Sequence, residues 1–194
     1  MELSSLDTNK SYTYADYLNW NFKERVELIK GKLFKMSPAP NRLHQDLSTF
    51  IQGSLYIFLQ GKKCKLYTAP FDVRLLGKTA DDKDIITVVQ PDICVICDES
   101  KLDFRGCLGA PDLVVEILSP GNNATEVRNK YSIYEQSGVK EYLVVSPQDR
   151  TFIAYTLVNG SYVTSRLMAE GDIFKSTVLD GFSMDLKQMF DTIS

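Results

Sequence analysis

Residues 109–120 read Gly109-Ala110-Pro111-Asp112-Leu113-Val114-Val115-Glu116-Ile117-Leu118-Ser119-Pro120. From Asp112 to Leu118 the stretch is almost continuously apolar, the pattern of a strand covered on both faces. Two carboxylates mark it: Asp112 opens the run after Pro111, and Glu116 sits inside it. A carboxylate in the middle of a covered strand is costly unless it is paired, hydrogen-bonded or metal-bound. Side chains alternate across a strand, so Asp112 and Glu116 share a face. For Asp112, capping of the strand entrance is an adequate explanation.

Downstream, Asn123 with Glu126 three residues on reads as a capping-box start to a helix that closes at Gly138. Val127, Lys130, Tyr131 and Tyr134 recur at helical spacing, which places Lys130 on or beside the buried stripe. A lysine turned toward a sheet containing Glu116 reads as its charge partner, or as a group that holds a phosphate oxygen or assists an attacking water. The competing reading is a lysine that snorkels past the helix edge to water. Tyr131 and Tyr134 read as core. Residues 141–146 form another short apolar strand.

Upstream, 65–76 alternates through Phe71, Val73 and Leu75, and 87–98 is a second apolar run carrying Pro91-Asp92. If the strands are neighbours, Asp92 converges on the face of Glu116 in an all-oxygen site suited to Mg²⁺ or Mn²⁺. Residues 42–60 carry Leu43, Leu47, Phe50, Ile51, Leu55, Phe58 and Leu59 on one side of a helix, capped by Asn41 and ended by Gly61. His44, the single histidine, turns toward that stripe and reads as a hydrogen-bonded core or capping residue. Before the helix, Pro38 and Pro40 break the chain, 25–36 reads as two strands around Lys30-Gly31, and 12–20 as a short helix capped by Thr13. After residue 150 the pattern is a hairpin about Asn159-Gly160 and a short closing helix over 185–190. The middle therefore reads α-β-β-β-α-β, flanked by β-rich pieces. Residues 1–11 read as a frayed, flexible terminus and 12–194 as one domain.

Composition bounds the function. The chain has 194 residues, 22 basic against 25 acidic, and 44% hydrophobic residues, an ordinary globular balance. No apolar run suits a membrane span and no secretory leader is visible, so a cytoplasmic protein is expected. Cys94 and Cys97 form a CxxC, but within a strand they point to opposite faces, which argues against zinc and for buried reduced thiols at all four cysteines. The acidic total argues against a histone-like polyanion binder, yet it is unevenly spread. Residues 23–65 hold nine basic groups against three acidic ones, so this segment could meet phosphates.

The element order, a Pro-Asp before one strand and a Glu inside the next resemble the PD-(D/E)XK nuclease superfamily. More narrowly, residues 109–120, Lys130 with Tyr134, and Gly138-Val139-Lys140-Glu141-Tyr142 are similar to the Uma-two family of restriction-endonuclease-like proteins. So are Val26-Glu27-Leu28-Ile29-Lys30-Gly31 and Met36-Ser37-Pro38-Ala39-Pro40 followed by His44; the likeness runs from about Tyr12 to Phe190. The resemblance implies an α/β (α+β) restriction-endonuclease-like fold and a Mg²⁺- or Mn²⁺-dependent endonuclease hydrolysing phosphodiester bonds in nucleic acid, DNA in preference to RNA. It implies Asp92 and Glu116 as metal-binding carboxylates, the backbone carbonyl of Ile117 as a further ligand, and Glu27 as an additional acidic residue. The superfamily pattern places a lysine two residues after the glutamate; Leu118 stands there, and Lys130 is the displaced replacement. A homodimer is implied as well. The alternatives are a catalytically inactive nuclease fold that binds nucleic acid, and a homo-oligomeric interaction protein whose acidic cluster is structural.

Overall fold

Pro70 and Pro91 divide the two long upstream apolar runs, and each run gives its halves to different sheets. The computed structural model describes residues 6–7, 9–36, 41–75, 77, 79–120 and 124–193. The expected Asn123 cap, the Pro38 and Pro40 break and most of the frayed start lie outside these residues.

The N-terminal half holds α1 (Tyr14–Tyr17), β1 (Val26–Ile29), β2 (Lys32–Lys35), α2 (Arg42–Leu59), β3 (Lys65–Thr68), β4 (Val73–Leu75), β5 (Thr87–Val89) and β6 (Ile93–Ile96). There follow β7 (Leu102–Asp103), β8 (Gly106–Leu108), β9 (Leu113–Ile117), α3 (Ala124–Ser137), β10 (Glu141–Ser146), β11 (Thr151–Val158), β12 (Ser161–Thr164), β13 (Ile173–Lys175), β14 (Ser183–Asp185) and α4 (Leu186–Asp191). One sheet runs β12-β11-β10-β9-β6-β3, a second runs β2-β1-β5-β4-β8-β7, and β13-β14 is a small ribbon.

The expected α-β-β-β-α-β order survives inside the first sheet as α2, β3, β6, β9, α3 and β10, with β9 and β10 parallel. What the pattern did not reveal is that β4, β5 and the hairpin β7–β8 leave that sheet to build the second. Residues 65–76 and 87–98 are therefore not single strands. A proline lacks the N–H a ladder needs, so each run can change sheets where Ala69-Pro70 and Gln90-Pro91 interrupt it.

The first sheet is covered on both faces. Leu47, Ile51, Leu55 and Leu59 of α2 pack with Leu186, Met189 and Phe190 of α4 against Ile93, Val95, Leu113, Val115 and Val145. On the other face Ile133 and Tyr134 of α3, with Val73, Val89 and Cys107 of the second sheet, meet Cys94, Val114 and Tyr142. Complete burial of each such aliphatic side chain contributes roughly 1.5–3 kcal/mol. The helix ends follow the sequence: Asn41 accepts the His44 N–H at 3.0 Å, and Thr13 and Asp16 form a reciprocal capping box. Lys30-Gly31 and Asn159-Gly160 have positive φ at both central residues, the backbone that tight hairpins require.

The cysteines need a correction. Cys94 and Cys97 do face opposite sides, but Cys97 is bonded to Cys64. Lys65 pairs with Ile96 across β3–β6, so the next step of the ladder sets Cys64 opposite Cys97. Only Cys94 and Cys107 are buried thiols among the described residues. Burial raises both thiol pKa values, that of Cys107 to about 11.

Candidate active site

The sheet junction brings together residues that are distant in sequence. Antiparallel pairing matches Ile93 with Val115, so the residue before β6, Asp92, falls beside Glu116 of β9. Glu116 has the parity of Val114 and faces α3, whose successive turns present Lys130 and Tyr134. Lys130 Nζ lies 2.9 Å from Glu116 Oε1, and the Tyr134 hydroxyl donates to the same oxygen at 2.7 Å. From the second sheet, Glu27 of β1 places its Oε1 3.3 Å from Lys130 Nζ. Glu27 is neither at a sheet edge nor open to solvent: β1 lies between β2 and β5, and the residue is 3% exposed.

Asp92 and Glu27 are oriented by backbone N–H groups, Glu116 by side chains alone. Asp92 Oδ2 accepts the Ile117 N–H at 2.8 Å and lies 3.2 Å from His44 Nε2. Glu27 Oε1 accepts the Gln90 N–H at 2.9 Å. The Gln90 side chain in turn donates to Asp72 and Tyr17 and accepts from the Arg25 guanidinium. Gln90 and Asp92 thus flank the proline at which the chain changes sheets: Gln90 holds Glu27 through its main-chain N–H, and Asp92 contributes a carboxylate of its own.

Burial sets the electrostatics. It pushes the Glu116 carboxyl up to about 7; Lys130 opposes the rise, while Asp92 and Glu27 add to it. Burial alone would lower the Lys130 ammonium, but Glu116 and Glu27 outweigh it and hold the group well above its ordinary value. Burial and the charge of Glu116 keep the Tyr134 phenol protonated, as its donor role requires. Two carboxylates on one ammonium, with the charge of Asp92 also felt there, leave an excess of negative charge, which a proton or a further cation relieves.

The donor set suits a hard divalent cation, being carboxylate oxygen throughout. Asp92 Oδ1, Glu116 Oε2 and Glu27 Oε2 accept no hydrogen bond from the described residues. These residues contain no group of three or more His, Cys, Asp or Glu side chains gathered around one point, because Glu116 and Glu27 each turn an oxygen onto Lys130. Asp112 stands apart from the cluster. Its carboxylate accepts the Cys97 N–H at 2.7 Å and pairs with Lys140 at 2.6 Å, the strand-entrance role that its position suggested.

Three participants were not assigned to the site from sequence. Tyr134 read as core, and it is, yet its hydroxyl serves Glu116; its spacing four residues after Lys130 was the available signal. His44 read as a core or capping residue and reaches Asp92 from α2. Gln90 acts through its main chain, for which side-chain chemistry gives no cue.

Comparison with known proteins agrees with this architecture. A family described as "Putative restriction endonuclease" (Uma2) matches residues 14–187. The uncharacterized protein slr1290 of Synechocystis sp. is 24% identical over 134 residues, which span 68% of this chain and 66% of that protein. A crystal structure described as "a putative nuclease belonging to DUF820", from Anabaena variabilis, superposes with a TM-score of 0.73 at 18% identity, covering 94% of this chain and 99% of that one. That likeness shows a shared mixed α/β fold. With the family match spanning most of the sequence, the chain belongs to the Uma2 family.

Proposed function

We propose that the protein is a Mg²⁺- or Mn²⁺-dependent endonuclease that hydrolyses phosphodiester bonds in DNA in preference to RNA. The observation that carries this reading is the buried Lys130 ammonium held between Glu116 and Glu27 beside Asp92. Asp92 and Glu116 would hold the ion, with the Ile117 carbonyl as a further ligand. When bound, a divalent ion supplies an acidified water and neutralises charge on the scissile phosphate. Lys130 remains protonated and offsets the negative charge that develops on the phosphate oxygens. Glu27 orients Lys130 from the second sheet, and Tyr134 fixes the Glu116 carboxylate by donating to Oε1. The displaced lysine is compatible with this chemistry because α3 delivers an ammonium to Glu116 from a different backbone than the strand would.

A homodimer, implied by the family resemblance, and the cytoplasmic location expected from the sequence complete the reading; no described helix is long and apolar enough to cross a membrane. The test is cleavage of duplex DNA, single-stranded DNA and RNA with and without Mg²⁺. Wild type should cut DNA only with the ion, and Asp92→Ala and Glu116→Ala should each lose activity by about 10²-fold or more while remaining folded. Persistent cleavage by folded Glu116→Ala would overturn the assignment. Salt-dependent binding without cleavage would instead favour a nucleic-acid-binding protein on a nuclease fold.

A further inference from the structure

His44 lies on α2, which packs on the face of the first sheet opposite α3. It is 6% exposed, and its stripe neighbours Leu47 and Ile51 are wholly buried. The ring serves no cap, because the Asn41 side chain bonds to the His44 main-chain N–H rather than to the imidazole. Its Nε2 is directed at Asp92 Oδ2, the oxygen already engaged by the Ile117 N–H. Its Nδ1 is buried with no partner among the described residues. A buried N–H with no acceptor is a costlier defect than a buried lone pair with no donor, so the ring proton belongs on Nε2, where it donates to Asp92. Oδ2 then has two donors from two different elements. Oδ1 has none among the described residues.

We propose that His44 is a positioning residue for Asp92. Together with the Ile117 N–H it occupies Oδ2 and fixes the carboxylate plane, so that Asp92 meets a divalent cation through Oδ1 alone. The role rests on the reading of Asp92 as a cation ligand. Partners that orient metal-ligating groups typically account for about 10–100-fold in metal affinity.

The experiment measures Mn²⁺ affinity of the full chain by electron paramagnetic resonance of the free ion. The proteins are wild type, Asp92→Asn, His44→Leu, His44→Gln and His44→Asn, with the thermal midpoint of each recorded without metal. A glutamine amide reaches the place of Nε2 and keeps a donor there; an asparagine amide falls short. Wild type should bind, Asp92→Asn should bind far more weakly, and His44→Leu should lose about 10–100-fold. His44→Gln should stay within about threefold of wild type and His44→Asn should fall with the leucine variant. A purely structural histidine would shift the metal-free midpoint and leave affinity unmoved, or affect Gln and Asn alike. Unchanged affinity in folded His44→Leu overturns the positioning role while leaving Asp92 as a ligand. Should the leucine variant not fold, equal affinities of the Gln and Asn variants overturn it instead. Absence of Mn²⁺ binding by wild type removes the cation-ligand reading and this role with it.

Discussion

Lys130 Nζ and Glu116 Oε1 are 2.9 Å apart, one at 7% exposure on α3 and the other at 7% exposure in the middle of β9. Each is costly to bury alone, and the pair is tolerated because each neutralises the other and Glu27 supplies a second contact.

Lys130→Met therefore leaves two buried carboxylates uncompensated and should cost about 3–5 kcal/mol in urea unfolding without metal. Adding Glu116→Gln should recover more than half of that loss. Equal stability of Lys130→Met and wild type would show that the pair is not jointly buried in solution.

Glu141 is a buried carboxylate of a different kind. It is fully enclosed, yet its oxygens accept from the Ser176 hydroxyl and from the Thr177 N–H and hydroxyl, which tie the C-terminal segment to β10. Glu141→Ala should cost about 2–4 kcal/mol while leaving Mn²⁺ affinity unchanged. A large affinity change would place Glu141 in the candidate site.

The buried phenols set the alkaline limit. Burial raises the pKa of Tyr17, Tyr134, Tyr142 and Tyr162. A phenol raised on folding contributes stability that is fully present below its unfolded value, near pH 10, and is lost as pH rises toward the folded value. Phenolate absorbance from these rings should thus emerge together with loss of circular dichroism above about pH 10. Complete titration of every tyrosine with the fold intact would contradict it.

The Cys64–Cys97 bond closes a loop of sequence separation 33 that contains β3 to β6. By loop entropy, reduction should cost about 3–4 kcal/mol. Urea unfolding with and without reductant, beside Cys97→Ser, checks this. The serine variant should match the reduced wild type.

Much of the fold was legible because its signals are local. Asn41 and Thr13 cap as their side chains suggest, positive φ falls where Lys30-Gly31 and Asn159-Gly160 call for it, and the stripe from His44 to Leu59 is buried as its spacing implies. The misreadings share one cause. An apolar run has the same appearance whether it stays in one sheet or crosses between two, so 65–76 and 87–98 each read as one strand although they divide at Pro70 and Pro91. The Cys64–Cys97 bond was missed for a related reason: it depends on cross-strand register rather than on spacing along the chain.

For the candidate site, the sequence by itself determined which groups were out of place: a glutamate inside an apolar strand, a lysine on a buried helical stripe, an aspartate after a proline. Those are local mismatches between residue chemistry and pattern, and they need no coordinates. Only the tertiary structure decided which of them meet. It separated Asp112 from the cluster and turned Glu27 inward. It also brought His44 to Asp92 across the sheet from α3, and gave Gln90 a main-chain role. Those outcomes depend on register and on which sheet each half-strand joins, and both are fixed by contacts between segments far apart in the chain.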